Sequence, residues 1–396
     1  MNIERISYMQ QLETWKDKQV IKIITGIRRC GKSTIMKMFQ QHLLDNGIKK
    51  NQIQHINLEE LENEDLMDYK TLYKHINSKL QKGEKNYIFL DEIQLVPSFQ
   101  KAIDSLFVKD NVDIYLTGSN AYLLSGEIAT LLSGRYIEIE VYPLSFAEYN
   151  NYLKSNLQDT YRKYISTSSF PYVAYLNNST QIFQYLQGIY NTVVVKDIMQ
   201  RNKIQDVEVL ERIVKFLCDN IGNISSLKSI TDTLSSTFRK ISQHTLENYV
   251  DALLKSYIFY KAERYDIKGK ELLKTGAKYY VSDIGFRNML FGIKPKDLGH
   301  ILENIVYLEL RRRKYQVFIG KYEQKEVDFI CFKGGEVTYF QVALSTREET
   351  TLQRELEPLL SLKDHFPKYI LTLDNDPDTI YNGIKQINVL QWLIEE

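Results

Sequence analysis

The chain has 396 residues, of which 43% are apolar, and its 51 basic and 50 acidic side chains give a formal net charge of +1. This length predicts about two or three domains, and the balanced charge excludes a chain whose whole surface is basic enough to bind nucleic acid. The sequence has no run of about eighteen apolar residues, and its polar start is unlike a signal peptide. The three cysteines have neither metal-ligand spacing nor a disulfide framework. We therefore expect a cytoplasmic protein with no membrane partner.

A phosphate-binding loop is the first motif along the chain. A helix predicted over Ile6–Trp15 and an apolar strand at Val20–Ile24 lead into the run Gly26-Ile27-Arg28-Arg29-Cys30-Gly31-Lys32-Ser33-Thr34, which contains the pattern G-x-x-x-x-G-K-S and opens a helix. The two glycines let main-chain N–H groups converge on one point, and the helix N-terminus adds partial positive charge, which favours the phosphates of ATP. We expect Lys32 to reach these phosphates and Ser33 to bind Mg²⁺.

A second motif follows an apolar strand that begins at Tyr87. This strand ends in the two carboxylates Asp91 and Glu92, the Walker B pattern. We expect Asp91 to support Mg²⁺ and Glu92 to polarise the attacking water, which is the general-base task in ATP hydrolysis. An additional strand at Gln52–Leu58 separates the two motifs, as is typical of ATPase-type P-loop domains.

A further strand begins at Asp113 and runs into small polar residues. Of these, Ser119 and Asn120 are candidates to orient the attacking water or to sense the γ-phosphate. Five predicted strands alternate with helices over residues 1–150, which predicts a parallel sheet covered on both faces. Ligands of such sheets bind at the carboxyl ends of the strands, where these motifs fall.

Arg135 precedes the last strand of this domain and is a candidate arginine finger. Such a cation neutralises charge on the transferring phosphoryl group. If Arg135 acts on a neighbouring copy, the active form is a homo-oligomer. The alternative is a surface arginine that pairs locally with Glu138 or Glu140.

The middle of the chain changes character. Residues 151–203 are helical and rich in tyrosine, and we interpret them as a lid or linker. Residues 204–297 have the pattern of a winged helix, with three amphipathic helices and two strands that flank a basic turn. A helix from about Ser242 would enter the major groove of DNA, surrounded by basic residues suited to phosphates. These residues are Arg239, Lys240, Lys268, Lys270 and Lys274. Many carboxylates in the same segment leave a protein partner as an equal alternative.

The order helix, three strands, helix, strand over residues 298–396 is similar to the restriction-endonuclease-like PD-(D/E)XK fold. That chemistry needs carboxylates that hold Mg²⁺ beside a lysine that polarises water. Glu303 and Asp328 are the candidate acids. The third motif departs from the pattern, since the chain has Gln341 and Ala343 where an acid and a lysine are expected. We therefore expect a degenerate domain that does not cleave DNA, with an active ATP-dependent nuclease as the alternative.

Taken together, these motifs resemble a widespread prokaryotic family of predicted AAA+-superfamily ATPases, in which an archaeal-ATPase-like P-loop domain precedes a C-terminal domain of unknown function. The resemblance spans nearly the whole chain. Besides the two Walker motifs, it is carried by Leu116–Ser119, Leu132–Tyr136, Pro143–Phe146, Tyr265–Lys270, Leu302–Asn304 and Glu326–Phe329. It implies ATP binding and hydrolysis, and it leaves the biological role open.

The sequence thus favours an α/β protein with a P-loop ATPase domain, a helical linker, a winged helix and a PD-(D/E)XK-like domain. We expect a Mg-dependent ATPase that couples nucleotide state to its C-terminal part, with DNA as its partner. The alternative is a nucleotide-gated switch that binds another protein.

Overall fold

The computed structural model describes residues 3–118, 134–199, 204 and 206–395. The chain divides into two compact units, one formed by Met1–Pro143 with Lys255–Tyr257 and the other by Leu144–Leu254 with Ile258–Glu396. The first boundary therefore lies a few residues before the predicted end of the ATPase domain at residue 150.

The described α-helices and β-strands are numbered separately in chain order. The helices are α1 Ile6–Trp15, α2 Lys32–Asp45, α3 Tyr69–Ser78, α4 Phe99–Phe107, α5 Phe146–Leu153, α6 Leu157–Ser166, α7 Ser179–Tyr190, α8 Val207–Asp219, α9 Leu227–Thr237, α10 Gln243–Lys255, α11 Ile284–Phe291, α12 Leu298–Arg312, α13 Glu349–Ser361 and α14 Val389–Ile394. A π-helical turn spans Asn191–Ile198, and 3-10 turns span Lys50–Gln52, Leu61–Met67, Ile93–Leu95, Pro171–Tyr175 and Pro295–Asp297. The strands are β1 Ile21–Thr25, β2 Ile53–Asn57, β3 Asn86–Asp91, β4 Val112–Thr117, β5 Tyr136–Glu140, β6 Phe259–Asp266, β7 Glu271–Val281, β8 Gln316–Tyr322, β9 Lys325–Lys333, β10 Glu336–Val342, β11 Lys368–Thr372, β12 Thr379–Tyr381 and β13 Ile384–Asn388.

The first unit is built on a parallel sheet with the strand order β2-β3-β4-β1-β5 among the described residues. Every neighbouring pair is parallel. Strands β1, β3 and β4 are buried along their whole length, as expected for a sheet covered by helices on both faces. Isoleucines and leucines of these strands pack against α3 and α4 in one apolar core. The predicted five-stranded parallel sheet is confirmed.

The second unit contains a larger, mixed sheet with the strand order β12-β13-β11-β10-β9-β8-β6-β7 among the described residues. Strands β6 and β7 form the antiparallel hairpin that we predicted as the wing. The end of this hairpin, however, pairs in parallel with β8, with Arg264 opposite Ile319. This pairing satisfies the main-chain groups that an isolated hairpin would expose along its edge. The sheet therefore runs across the predicted domain boundary at residue 297.

The segment that follows α6 is also hydrogen-bonded to residues of this unit. Asp283, which follows β7, is buried and accepts hydrogen bonds from the main-chain N–H of Ser169 at 2.6 Å and from its hydroxyl at 2.5 Å. Burial raises the pKa of the Asp283 carboxyl, and these donors oppose that effect. The described part of the predicted linker, residues 151–199, thus belongs to the second compact unit. No helix of the described residues is long and apolar enough to cross a membrane.

Candidate nucleotide-binding and hydrolysis site

The predicted phosphate loop connects β1 to α2 and needs glycine at both ends. Gly26 has a φ of 131° and Gly31 a φ of 106°, a region that side chains disfavour. A Cβ atom on Gly26 would lie 2.0 Å from the main-chain oxygen of Val141, just after β5. The loop is therefore packed against main chain at its first residue, and only glycine permits that approach.

Lys32 is the first residue of α2, and its side chain turns back across the loop. Its Nζ donates to the main-chain oxygens of Gly26 at 2.9 Å and Ile27 at 3.2 Å, and the residue is 5% exposed. Two of the three N–H donors of Lys32 thus bond to neutral carbonyl oxygens. A phosphate oxygen would make stronger, charge-assisted bonds with the same donors. Ser33 is half-buried and Thr34 is exposed in the first helical turn, where main-chain N–H groups lack partners within the helix.

The remaining loop residues have different surroundings. Arg28 forms an ion pair with Glu59, in the acidic segment that follows β2. Arg29 is exposed and has a φ of 68°. Cys30 is fully buried, and burial raises the pKa of its thiol, which keeps the sulfur protonated and unreactive.

The two carboxylates of the second motif lie at the carboxyl end of β3. Asp91 is 2% exposed and accepts a hydrogen bond from the Thr117 hydroxyl at the end of β4. The same hydroxyl oxygen accepts the main-chain N–H of Glu92 at 2.9 Å. Thr117 therefore connects both acidic positions to the neighbouring strand. We did not predict this role, although strand register would have aligned Thr117 with Asp91 once the pairing of β3 and β4 was known.

Glu92 itself has a left-handed backbone conformation, with a φ of 55°. Such a conformation is unfavourable for a residue other than glycine and is found where the surroundings impose it. Its carboxylate is largely buried and accepts a hydrogen bond from the Gln94 side-chain amide. The candidate base is thus fixed by its backbone and by a neighbouring donor. Ser119 and Asn120, the other predicted water-orienting residues, lie outside the described residues.

The structure separates Arg135 from this group. Its main-chain oxygen accepts from the N–H of Ile21, at the start of β1, whereas the phosphate loop follows the other end of that strand. A five-residue strand spans about 17 Å, which is longer than an arginine side chain. Arg135 instead pairs with Asp104 and lies over the Phe107 ring. Arg135 therefore lies away from the phosphate loop of its own chain, and it pairs with Asp104 where the alternative named Glu138 or Glu140. Action on a neighbouring copy stays a prediction.

The oxygen donors near the loop suit magnesium that arrives with a nucleotide. Mg²⁺ is commonly bound by one or two protein oxygens together with phosphates and water. The Ser33 hydroxyl and the Asp91 carboxylate are donors of this kind. Across the described ranges, no group of three or more His, Cys, Asp or Glu residues could hold a metal by itself. The residues therefore fit a metal that is shared with phosphates.

The predicted degenerate nuclease residues do come together in the second unit, around a lysine that we did not predict. Lys278 of β7 is 5% exposed at its side chain, and its Nζ lies 2.8 Å from Glu303, 2.8 Å from Glu326 and 3.8 Å from Asp328. The Tyr280 hydroxyl also donates to Glu303, at 2.6 Å. A protein cation thus lies beside Glu303 and Asp328, the two candidate acids of the predicted degenerate site.

Electrostatics in this cluster follow from burial and mutual charge. Burial alone would lower the pKa of Lys278, but Glu303, Asp328 and Glu326 raise it above the ordinary value for lysine. Burial favours neutral Glu303, yet Lys278 and the neighbouring donors lower its pKa. Burial and the charge of Glu303 raise the pKa of Asp328 to about 8, against the opposing effect of Lys278. Lys278 therefore favours the charged form of Glu303 by lowering its pKa, whereas burial and the charge of Glu303 favour the neutral form of Asp328 by raising its pKa.

Gln341 lies beside this cluster and is held by neutral and charged partners. Its Oε1 accepts the main-chain N–H of Asp328 at 2.7 Å, and its Nε2 donates to Glu355 at 2.8 Å. Asp328 in turn accepts the main-chain N–H of Val342 at 2.9 Å. The glutamine that stands where an acid was expected thus connects β9, β10 and α13.

Two of the cations predicted to contact DNA are paired with carboxylates. Lys268, in the turn between β6 and β7, lies 3.0 Å from Glu323. Arg239 pairs with Asp206, before α8. Local pairing reduces the positive potential that each cation offers to a phosphate backbone.

Comparisons with known proteins find an AAA domain in the N-terminal part of the chain. Residues 18–150 match the model of an AAA domain, and residues 158–297 match that of a domain of unknown function. An uncharacterised protein of Haemophilus influenzae is 40% identical over 99% of both chains. An uncharacterised protein of Methanocaldococcus jannaschii is 30% identical over 85% of this chain and 77% of its own.

A solved structure has the same fold over much of the chain. The Walker-type ATPase of Pyrococcus abyssi is similar with a TM-score of 0.52 at 17% identity, covering 73% of this chain and 95% of its own. At this identity the similarity concerns the fold alone. The chain therefore belongs to one family with these Haemophilus and Methanocaldococcus proteins, and its residues 18–150 match an AAA domain.

Proposed function

We propose that the protein binds Mg-ATP in the loop at residues 26–33 and hydrolyses it. The observation that carries this proposal is the bond network at the carboxyl ends of β3 and β4, where Thr117 holds Asp91 and the backbone of Glu92 together. The buried carboxylates follow β3, and only β4 lies between β3 and β1, the strand that leads into the phosphate loop. Carboxylates at the carboxyl ends of parallel strands, close to a phosphate loop with its lysine, suit phosphoryl transfer to water.

Each residue then has a separate task. The loop N–H groups and Lys32 hold the β- and γ-phosphates, while Ser33 and Asp91 hold Mg²⁺, which neutralises phosphate charge when bound. Glu92 accepts a proton from water as the water oxygen bonds to the γ-phosphorus. The bond from that phosphorus to the bridging oxygen breaks, and ADP and phosphate leave.

We further propose that the second unit serves as a binding module and does not cleave nucleic acid. Gln341 stands where the third acid is expected, and its side-chain amide donates to Glu355, which supports a non-cleaving role. The pairing of Lys268 and Arg239 favours a protein partner over DNA. Nucleotide state would then regulate the binding of that partner.

Steady-state hydrolysis tests the proposal. The purified protein is expected to release phosphate from ATP in the presence of Mg²⁺ and to stop when the metal is chelated. Duplex DNA added at low salt is expected to leave the rate unchanged; stimulation that fades as salt rises would support the DNA alternative. Absence of magnesium-dependent release under all these conditions would contradict the proposed activity.

A further inference from the structure

Arg5, the residue before α1, is a buried cation joined to the phosphate loop. It is 3% exposed. Its Nη1 donates to the main-chain oxygen of Cys30 at 3.1 Å, and its Nη2 donates to that of Tyr142 at 2.7 Å. The guanidinium carbon lies 4.7 Å from the centre of the Tyr8 ring. One side chain therefore connects the start of the described chain, the phosphate loop and the segment after β5.

The bond to Cys30 fixes the direction of one peptide group in the loop. Because a trans peptide is planar, its C=O and N–H point in opposite directions. An arginine that holds the Cys30 oxygen therefore turns the Gly31 N–H away from Arg5. Gly31 is the second glycine of the phosphate-binding pattern, where main-chain N–H groups are needed as anion donors.

Glycine makes this orientation easy to lose. With no Cβ, Gly31 tolerates many backbone conformations, so the peptide that precedes it has little steric reason to keep one direction. Rotation of this peptide would replace an N–H donor with a carbonyl oxygen, which repels phosphate. The hydrogen bond from Arg5 Nη1 to the Cys30 oxygen opposes that rotation, and the guanidinium is held in place by its second bond, from Nη2 to the oxygen of Tyr142.

The other anchor of Arg5 is itself fixed. The Tyr8 hydroxyl accepts the main-chain N–H of Tyr142 at 3.1 Å, so α1 and Arg5 bind both main-chain groups of that residue. The neighbouring oxygen of Val141 is the atom against which Gly26 packs. Both ends of the phosphate loop thus rest on a layer formed by the N-terminal residues and the segment after β5.

We propose that Arg5 is a positioning residue for nucleotide binding, which orients the peptide between Cys30 and Gly31 so that its N–H serves as a phosphate donor. This inference rests on the proposed binding of Mg-ATP by the same loop. Arg5 acts through the loop and needs no contact with the nucleotide.

The test compares Mg-ATP dissociation constants and hydrolysis rates of the wild type, Arg5→Ala, Arg5→Lys and Leu12→Ala. Arg5→Ala is expected to weaken binding about tenfold or more, the effect of losing one hydrogen bond to a charged group. The kcat is expected to stay near that of the wild type, because the lost interaction is similar in the ground and transition states. Arg5→Lys, which keeps the charge and can hold one carbonyl, is expected to recover part of the affinity.

Leu12→Ala is the matched control, since Leu12 is a fully buried residue of α1, the helix that follows Arg5. It is expected to lower the melting temperature and leave ATP affinity unchanged, when all variants are measured at a temperature at which circular dichroism finds them folded. Arg5→Ala with wild-type affinity, or an equal loss in Leu12→Ala, would overturn the inference while leaving the proposed function intact. If Arg5→Ala does not fold, Arg5→Lys alone decides, and wild-type affinity in that variant counts against the inference. A wild type that does not bind Mg-ATP overturns both proposals.

Discussion

Glu92→Gln is expected to keep ATP affinity and to lower the rate of hydrolysis about a hundredfold or more. The amide has nearly the same shape as the carboxylate, but it cannot accept a proton from the attacking water. The backbone N–H of residue 92 would still bond to Thr117, so the local structure should be retained. Single-turnover hydrolysis and equilibrium ATP binding, measured on the same preparation, separate the two effects.

The control is Glu84→Gln, which makes the same chemical change just before the other end of β3, where Glu84 pairs with Lys49. Loss of this partly exposed ion pair should leave both ATP affinity and turnover unchanged. Equal turnover in Glu92→Gln and the wild type would remove Glu92 from its assigned role. An equal loss in the Glu84 variant would mean that the assay reports general damage.

Lys278→Met is expected to destabilise the second unit by about 3–5 kcal/mol, the effect of removing one partner from a buried ion pair. Glu303 would lose the cation that keeps its pKa low. Buried acids with raised pKa values stabilise the folded state at low pH and lose that contribution as pH rises through the folded-state value. The difference in the free energy of unfolding between the wild type and the variant should therefore shrink as pH falls from about 8 to about 5.

Urea denaturation followed by tryptophan fluorescence measures this change. The sequence has two tryptophans, so replacing Trp15 with Phe leaves Trp392 of α14 as a reporter of the second unit. Lys274→Met, at an exposed position of the same strand, should change stability by no more than about 0.5 kcal/mol. The double variant Lys278→Met with Glu303→Gln should recover part of the loss, because the buried carboxylate of Glu303 is then no longer left without the cation that paired with it. A Lys278→Met protein as stable as the Lys274 variant would show that the cluster does not contribute to folding.

The first unit could be predicted from the sequence because its motifs combine local chemistry with a strong apolar pattern. The run from Gly26 to Ser33 needs strand, turn and helix in a fixed order, and the strand before Asp91 is apolar throughout. Arg135 illustrates the limit of this approach. Its position in the sequence suggested a catalytic cation. Because β5 runs parallel to β1, however, Arg135 lies at the amino ends of these strands, whereas the phosphate loop follows the carboxyl end of β1.

The second unit was harder to predict because its sheet joins distant segments. Strands β12 and β13 and helix α14 follow the last strand that the pattern indicated, in short elements interrupted by turns. Lys278 lies 25 residues from Glu303, and the two meet because α12 packs against β7, where the Asn304 side chain bonds both main-chain groups of Val281. No local signal identifies such a partner, since an isolated lysine in a strand usually faces solvent. Thr117 was missed for the same reason, as its role depends on a neighbouring strand.

The most direct test of the central claim is calorimetric titration of the wild type and Lys32→Ala with ATP at saturating Mg²⁺. We expect the wild type to bind one ATP per chain with measurable heat, and the variant to bind at least about a hundredfold more weakly, because the main cation of the loop is gone. Circular dichroism should find both proteins equally folded. Wild-type protein that gives no heat of binding, or a variant with unchanged affinity, would contradict the assignment of residues 26–33 as the site that holds the triphosphate.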